Sequence, residues 1–239
     1  HPAGYERLEQ LFLRITGGAP AFGELVRDKK LLVIGRLFGS EVKALGRRLA
    51  SLAPLGVADA GRAVAEVTAS MGVYRTYIRG DEVSRDDRRR LEAALQDAAA
   101  RNPHLRQAID ALRGIVLERD PDDDEALDWI MRWQQFTGPV MAKGFEDTAL
   151  YCHNVLLAAN EVGSDPIRPA IAAQQLHEQL VLRQQQAPYS LNATATHDTK
   201  RGEDTRARIA VLSEVPDEWR RQLRRWIREG DEWKAEIAE

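Results

Sequence analysis

Two short runs of the chain bring together side chains that do chemistry. The first is Thr194-Ala195-Thr196-His197-Asp198-Thr199-Lys200-Arg201. Its His-Asp pair follows a short extended-looking stretch and precedes a helical pattern, the place where α/β barrels carry active-site residues. The competing reading is a turn in which Asp198 caps the next helix. The second run is Val140-Met141-Ala142-Lys143-Gly144-Phe145-Glu146-Asp147-Thr148. It sets a lysine, a glycine that permits close backbone approach, and two carboxylates at a predicted helix start. One reading is a polar pocket whose Lys143 and Glu146 hydrogen-bond a hydroxyl-rich ligand; the other is a capped helix with solvated charges. A third polar stretch, residues 120–125, reads as a loop and helix start, where carboxylates favour the positive end of the helix dipole. Its oxygen spacing does not match a calcium loop, and no metal is expected.

The elements that must position these groups are mostly helical. Over residues 22–50, Leu31, Ile34, Phe38, Val42, Leu45 and Leu49 recur at steps of three and four, predicting one face of a long helix. Residues 71–78 (MGVYRTYI) are β-branched and aromatic and predict a strand, closed by Arg79-Gly80-Asp81. Ser84 with Asp87 resembles a capping box that opens a helix to about residue 100. Pro103 starts another, with Leu105, Ile109, Leu112 and Val116 facing inward. Trp129 and Trp133, four residues apart, share one face of a helix over 125–136 and read as core rather than as sugar platforms. After Gly138-Pro139, the spacing of Phe145, Ala149, Cys152, Leu156 and Ala159 predicts a regular helix capped at Gly163. Further helices are predicted around Leu176 and Leu180, to about Ser213, and over a last segment with Trp219, Leu223, Trp226 and Ile227 inward. Residues 191–196 (LNATAT) predict a second short strand.

The expected fold class is therefore mainly α, a helical domain with a minor β component. Two strands cannot close a (β/α)₈ barrel. By element type the chain divides into a helical segment over 1–70, a strand and helices over 71–190, and a strand, the His-Asp run and terminal helices over 191–239.

Bulk properties narrow the class further. The 239 residues are 44% hydrophobic and 30% charged, ordinary for a globular protein with a sizeable core. Thirty-four Lys plus Arg against 37 Asp plus Glu leave a net charge of -3, which gives no reason to expect nucleic acid or an anionic membrane as partner. Cys152 is the single cysteine, so no internal disulfide forms and a reducing cytoplasm fits. No apolar run approaches the roughly 20 residues of a membrane helix, and there is no secretory signal. The chain opens on His1-Pro2 without an initiator Met, as a fragment of something longer would.

Three strings carry a resemblance. QQFTGPVMAKGFEDTALY (134–151), NEVGSDP (160–166) and TATHDTKRGEDTRARIAVLSE (194–214) resemble the maltooligosyl trehalose synthases of glycoside hydrolase family 13. VYRTYI (73–78) and ELVRDKKLLV (24–33) are similar to them as well, in the same order along the chain. The resemblance implies one part of a (β/α)₈-barrel enzyme, most of whose strands are absent here. It implies a cofactor-free intramolecular transglycosylation: the reducing-end α-1,4 bond of a maltooligosaccharide is cleaved and the bound glucose returns through its anomeric oxygen, giving an α,α-1,1 linkage. Asp198 matches the family's second catalytic Asp, which grips the hydroxyls of the cleaved sugar, and His197 is its neighbour. Lys143 and Glu146 match the synthases' own MAKGxED element and would hold the released glucose; Lys200 and Arg201 complete the expected substrate-binding set.

The family's nucleophile and acid/base precede this region, and nothing here resembles their motifs, so the chain alone is expected to be inactive. A trehalohydrolase that releases trehalose is the implied functional partner. The sequence departs from the family pattern at Cys152-His153, at Gly202 in place of a common Ser, and at Phe145 in place of a frequent Val, which bears on the surroundings of the site but not on His197, Asp198, Lys143 or Glu146. Two other readings are an α-amylase-like hydrolase, against which the MAKGFED element argues, and a non-catalytic helical interaction domain, which has no need of the four polar residues.

Overall fold

The structure is a computed structural model and describes residues 2–80 and 82–237, with side chains described as far as residue 231. Helices dominate: α1 (Pro2–Thr16), α2 (Phe22–Leu37), α3 (Gly39–Leu52), α4 (Val57–Ser70), α5 (Arg85–Arg101), α6 (Arg106–Glu118) and α7 (Asp124–Met141). A π-helical segment, Ala142–Ala149, follows α7, and then come α8 (Leu150–Cys152), α9 (Ala173–Gln186), α10 (Glu203–Ala210) and α11 (Pro216–Ile237). The chain sorts into two compact units, residues 21–149 and residues 1–20 with 150–239. These boundaries differ from the divisions at 70 and 190 drawn from element type.

In the unit over 21–149, the apolar stripes of α2 to α7 close on a core in which Leu49, Leu91, Leu105, Ile109, Leu112, Trp129 and Trp133 are almost wholly buried. The two tryptophans stack with ring centroids 5.8 Å apart. Each satisfies its indole N–H: Trp129 donates to the Leu45 carbonyl and Trp133 to the Thr68 hydroxyl, both at 2.9 Å. They are core, as a large aromatic with one polar atom must be when its donor finds a partner. The helix starts follow the expected side chains. Ser84 Oγ accepts the Asp87 N–H at 3.1 Å at the head of α5, and Asp123 accepts the Ala126 N–H at 2.9 Å at the head of α7. The capping box is one-sided, because the Asp87 carboxylate accepts from Tyr77 N instead.

Three expectations are corrected here. The long helix over 22–50 is two helices, broken at Phe38, whose φ of -120° and ψ of 23° leave the helical basin. The stripe of apolar residues continues across the break, so periodicity alone does not register it. Second, no strand forms among the described residues. Residues 72–80 form neither helix nor strand, with bends at 72–74 and 80, and their partner is a side chain: Gln134 Oε1 accepts from Ile78 N at 2.7 Å and from the Thr76 hydroxyl at 3.0 Å, and Gln134 Nε2 donates to the Ile78 carbonyl at 2.9 Å. One buried amide on α7 thus takes the place of a neighbouring strand. The turn expected at its end includes Asp81, which lies outside the described residues.

The third correction concerns the end of α7. Gly138-Pro139 does not end the helix; Pro139 lies inside it. A proline within a helix removes one ladder hydrogen bond and crowds the preceding turn. The Ala142 N–H bonds both the Gly138 and Pro139 carbonyls, and the backbone then widens into the π-helical segment. Thr148 Oγ1 reaches the Lys143 carbonyl, five residues back, at 2.7 Å. The regular helix expected through residue 159 is therefore widened over 142–149 and ends at Cys152, with a separate 3-10 turn at Leu157–Ala159.

In the unit over 1–20 and 150–239, a smaller core joins Tyr5, Leu8 and Leu156 to the half-buried Val155, Ile209, Leu212 and Trp219. Tyr5 donates its hydroxyl to the Pro166 carbonyl at 2.6 Å. Leu191–Thr196 is exposed and irregular, so the second expected strand is absent; α9 buries none of its side chains. On α11, Trp219 and Leu223 are half-buried, but Trp226 and Ile227, expected inward, are exposed.

Candidate functional site

The MAKGFED element falls on the π-helical segment. Widening the helix there changes which way successive side chains face. Lys143 and Asp147 are exposed and paired, Nζ to Oδ2, at 2.7 Å. Glu146 turns inward, is 8% exposed, and accepts the Tyr74 hydroxyl. Tyr74 belongs to the irregular strap that Gln134 anchors, so the strap is what brings it to the carboxylate. Gly144 faces α2 with no room for a side chain: a Cβ there would lie 2.7 Å from the Lys30 Cα. The close backbone approach expected of this glycine is real, and its neighbour is Lys30.

Lys30 was not among the residues expected at a site. It is 2% exposed and donates from Nζ to the Met71 carbonyl at 2.6 Å. Burial alone pushes its ammonium pKa down to about 8. A sequence signal existed: Lys30 precedes the buried Val33 and Ile34 at steps of three and four, on the inward face of α2. The helix-start reading of Lys143 and Glu146 is not what forms, because both sit within a continuing helical path.

The His-Asp run lies in the other unit, so the six expected site residues divide two and four between the units. Thr196 organises the turn: its hydroxyl accepts the Asp198 N–H at 3.3 Å, and its carbonyl accepts both the N–H (3.2 Å) and the hydroxyl (2.7 Å) of Thr199. His197 Nε2 is 3.4 Å from Asp198 Oδ2, and both side chains are exposed. Asp198 does not cap the following helix, which starts at Glu203 with Gly202 at its N-cap. Lys200 and Arg201 are half-buried. The Lys200 ammonium lies 5.3 Å from the Tyr151 ring centroid, a cation–π distance, and Arg201 reaches the Leu157 carbonyl at 3.4 Å. Glu161, also not expected, is 5% exposed and accepts the backbone N–H groups of Lys200 (2.5 Å) and Arg201 (3.2 Å).

Such an arrangement suits recognition of a neutral, hydroxyl-rich molecule. At the His197–Asp198 turn it offers an exposed imidazole and an exposed carboxylate on backbone braced by Thr196 and Glu161, both with hydrogen-bonding capacity for sugar hydroxyls. Among the described residues, no group of three or more His, Cys, Asp or Glu side chains is placed to hold a metal ion. No helix among them is long and apolar enough to cross a membrane.

No family model matches the chain. A Mycobacterium tuberculosis protein provisionally named maltooligosyl trehalose synthase is 32% identical over 195 residues, which is 82% of this chain and 24% of that protein. The solved maltooligosyltrehalose synthase of Arthrobacter ramosus superposes with a TM-score of 0.80 at 36% identity, covering 92% of this chain and 27% of its own. A Sulfolobus tokodaii protein described as a hypothetical maltooligosyl trehalose synthase gives 0.69 at 29% identity, over 92% and 26%. The chain spans about a quarter of the length of these relatives. Over four-fifths or more of its own length, it is thus homologous to one stretch of the maltooligosyl trehalose synthases.

Proposed function

We propose that the chain is one segment of a maltooligosyl trehalose synthase polypeptide of glycoside hydrolase family 13, and supplies part of its glucan site. The observation that carries this reading is the 32% identity over 195 residues, 82% of the chain, in a sequence that holds both the His-Asp run and the MAKGFED element. In the proposed reaction, the enzyme cleaves the terminal α-1,4 bond of a maltooligosaccharide through a covalent glycosyl-enzyme. The retained glucose then returns through its anomeric hydroxyl to give a trehalose end. The nucleophile and the acid/base, which a retaining mechanism sets roughly 5 Å apart, belong to the remainder of that polypeptide.

Asp198 accepts hydroxyls of the sugar whose bond is cleaved, with contacts that tighten as its ring flattens toward the oxocarbenium-like transition state. His197, Lys200 and Arg201 line the same sugar. Lys143 and Glu146 hold the released glucose so that its anomeric oxygen, rather than water, attacks. The product's trehalose end makes a trehalohydrolase the functional partner, and the cytoplasm is the compartment that fits.

Partition of products tests this reading. With maltopentaose and the longer polypeptide, wild type gives mainly a non-reducing isomer of unchanged mass. Lys143→Ala and Glu146→Gln should raise the share of free glucose at least about fivefold, because a loosely held glucose leaves before it re-attacks. An unchanged partition in both variants would remove the MAKGFED element from the site.

A further inference from the structure

We infer that Glu161 is the positioning residue of the His197–Asp198 pair: its carboxylate gathers the backbone of the turn that carries them. The inference rests on the sugar-site reading of that pair only for its catalytic consequence; the geometry stands by itself.

Glu161 is held from both ends. Its own N–H donates to Ser164 Oγ at 3.0 Å, and Ser164 Oγ donates in turn to the Glu161 carbonyl at 2.7 Å and to the Ala159 carbonyl. The preceding Asn160 is buried and donates from Nδ2 to the Leu150 carbonyl at 2.8 Å and to the His153 carbonyl. Gly163, at a φ of +76°, turns the chain back where a side chain would be strained. The 160–164 turn is therefore a rigid base, and its buried glutamate reaches across sequence to residues 200 and 201.

The carboxylate accepts three backbone N–H groups. Lys200 N and Val162 N donate to Oε1 at 2.5 and 3.1 Å, and Arg201 N donates to Oε2 at 3.2 Å. A charged acceptor on consecutive amide donors forms the stronger, charge-assisted kind of hydrogen bond, and burial strengthens it further. A buried carboxylate without such donors would be costly. Here the donors belong to the run that bears the pair: Glu161 holds the backbone two and three residues after Asp198, and Thr196 holds the N–H groups of Asp198 and Thr199. All these bonds draw the backbone inward, and His197 and Asp198 remain exposed and free to meet a ligand. A carboxylate that only filled space would bond solvent or one neighbour. Binding the N–H groups of Lys200 and Arg201, two and three residues after Asp198, is instead what sets the direction in which the turn leaves.

The test uses Glu161→Gln, which keeps the shape but offers a single acceptor oxygen, so at least one of the three N–H groups must face an amide NH₂. In the chain itself, exchange of the Lys200 and Arg201 amides should speed up at least about tenfold in the variant. In the longer polypeptide, kcat on maltopentaose should fall at least about tenfold with KM changed less than about threefold. Glu161→Asp, which keeps the charge but draws it back, should fall between the two. Unchanged exchange of the two amides in Glu161→Gln, or a kcat per folded molecule equal to wild type, would overturn the inference. Should wild type make no trehalose-ended product, the sugar-site reading falls, and amide exchange alone then decides whether Glu161 fixes the turn.

Discussion

At the scale of residues, Asp198 shows how local geometry separates two roles. Its backbone N–H is tied to Thr196, and the next helix begins under Gly202, so a capping duty is not what keeps an acid there. Asp198→Asn in the longer polypeptide should lower kcat by two or more orders of magnitude, roughly 3 kcal/mol, while the thermal midpoint of the same sample stays put. A variant with more than a tenth of wild-type kcat would end the catalytic assignment. Lys30 gives a second prediction, on pH. Its folded pKa, about 8, lies below the ordinary lysine value, so between pH 8 and about 10.5 the unfolded chain binds more protons than the folded one. Stability contributed through Lys30 therefore rises as pH rises through that window. Denaturant midpoints of wild type minus Lys30→Met should grow from pH 7.5 to 9.5; a flat or falling difference would contradict the depressed pKa. Lys30 and Glu161 were the residues hardest to see in the sequence, because what defines each is burial against backbone far along the chain: Met71 for one, residues 200 and 201 for the other.

At the scale of elements, amphipathic helices were legible and departures from them were not. Leu105, Ile109, Leu112 and Val116 fall in the core because a 3.6-residue period leaves them no other face. VYRTYI looked like a strand for sound local reasons, yet its hydrogen bonds go to the Gln134 side chain, a partnership between residues 56 to 58 apart that composition does not register. Replacing Gln134 by Leu would leave Thr76 Oγ1 and both backbone groups of Ile78 buried without partners. A loss on the order of 3 kcal/mol or more is expected, read as a lower urea midpoint at constant m-value. The π-helical segment was equally hidden, since Lys143 to Thr148 has no unusual residue type. Its signature is the close approach at Gly144. Gly144→Ala should cost about 1–3 kcal/mol by pushing the segment away from Lys30, whereas Gly114→Ala, inside α6 where a Cβ meets open space, should gain about 0.5–1 kcal/mol and serves as the reference. Equal stabilities in the two variants would show that the backbone yields there without strain.

At the scale of the whole molecule, charge and composition chose little among functions, and the functional reading comes from motif and similarity. The chain covers about a quarter of its relatives' length and carries the His-Asp run and the MAKGFED element in separate compact units. The proposed role is therefore one of partial machinery, in which each run would contribute sugar-binding groups and the bond-breaking carboxylates would come from elsewhere in the longer polypeptide. The most direct measurement follows maltopentaose by chromatography and reducing-end assay, with the purified chain and the longer polypeptide side by side. The account predicts loss of reducing ends at unchanged mass with the longer polypeptide, and no change with the chain alone. Trehalose-ended product from the chain alone, or only shorter reducing sugars from the longer polypeptide, would contradict it.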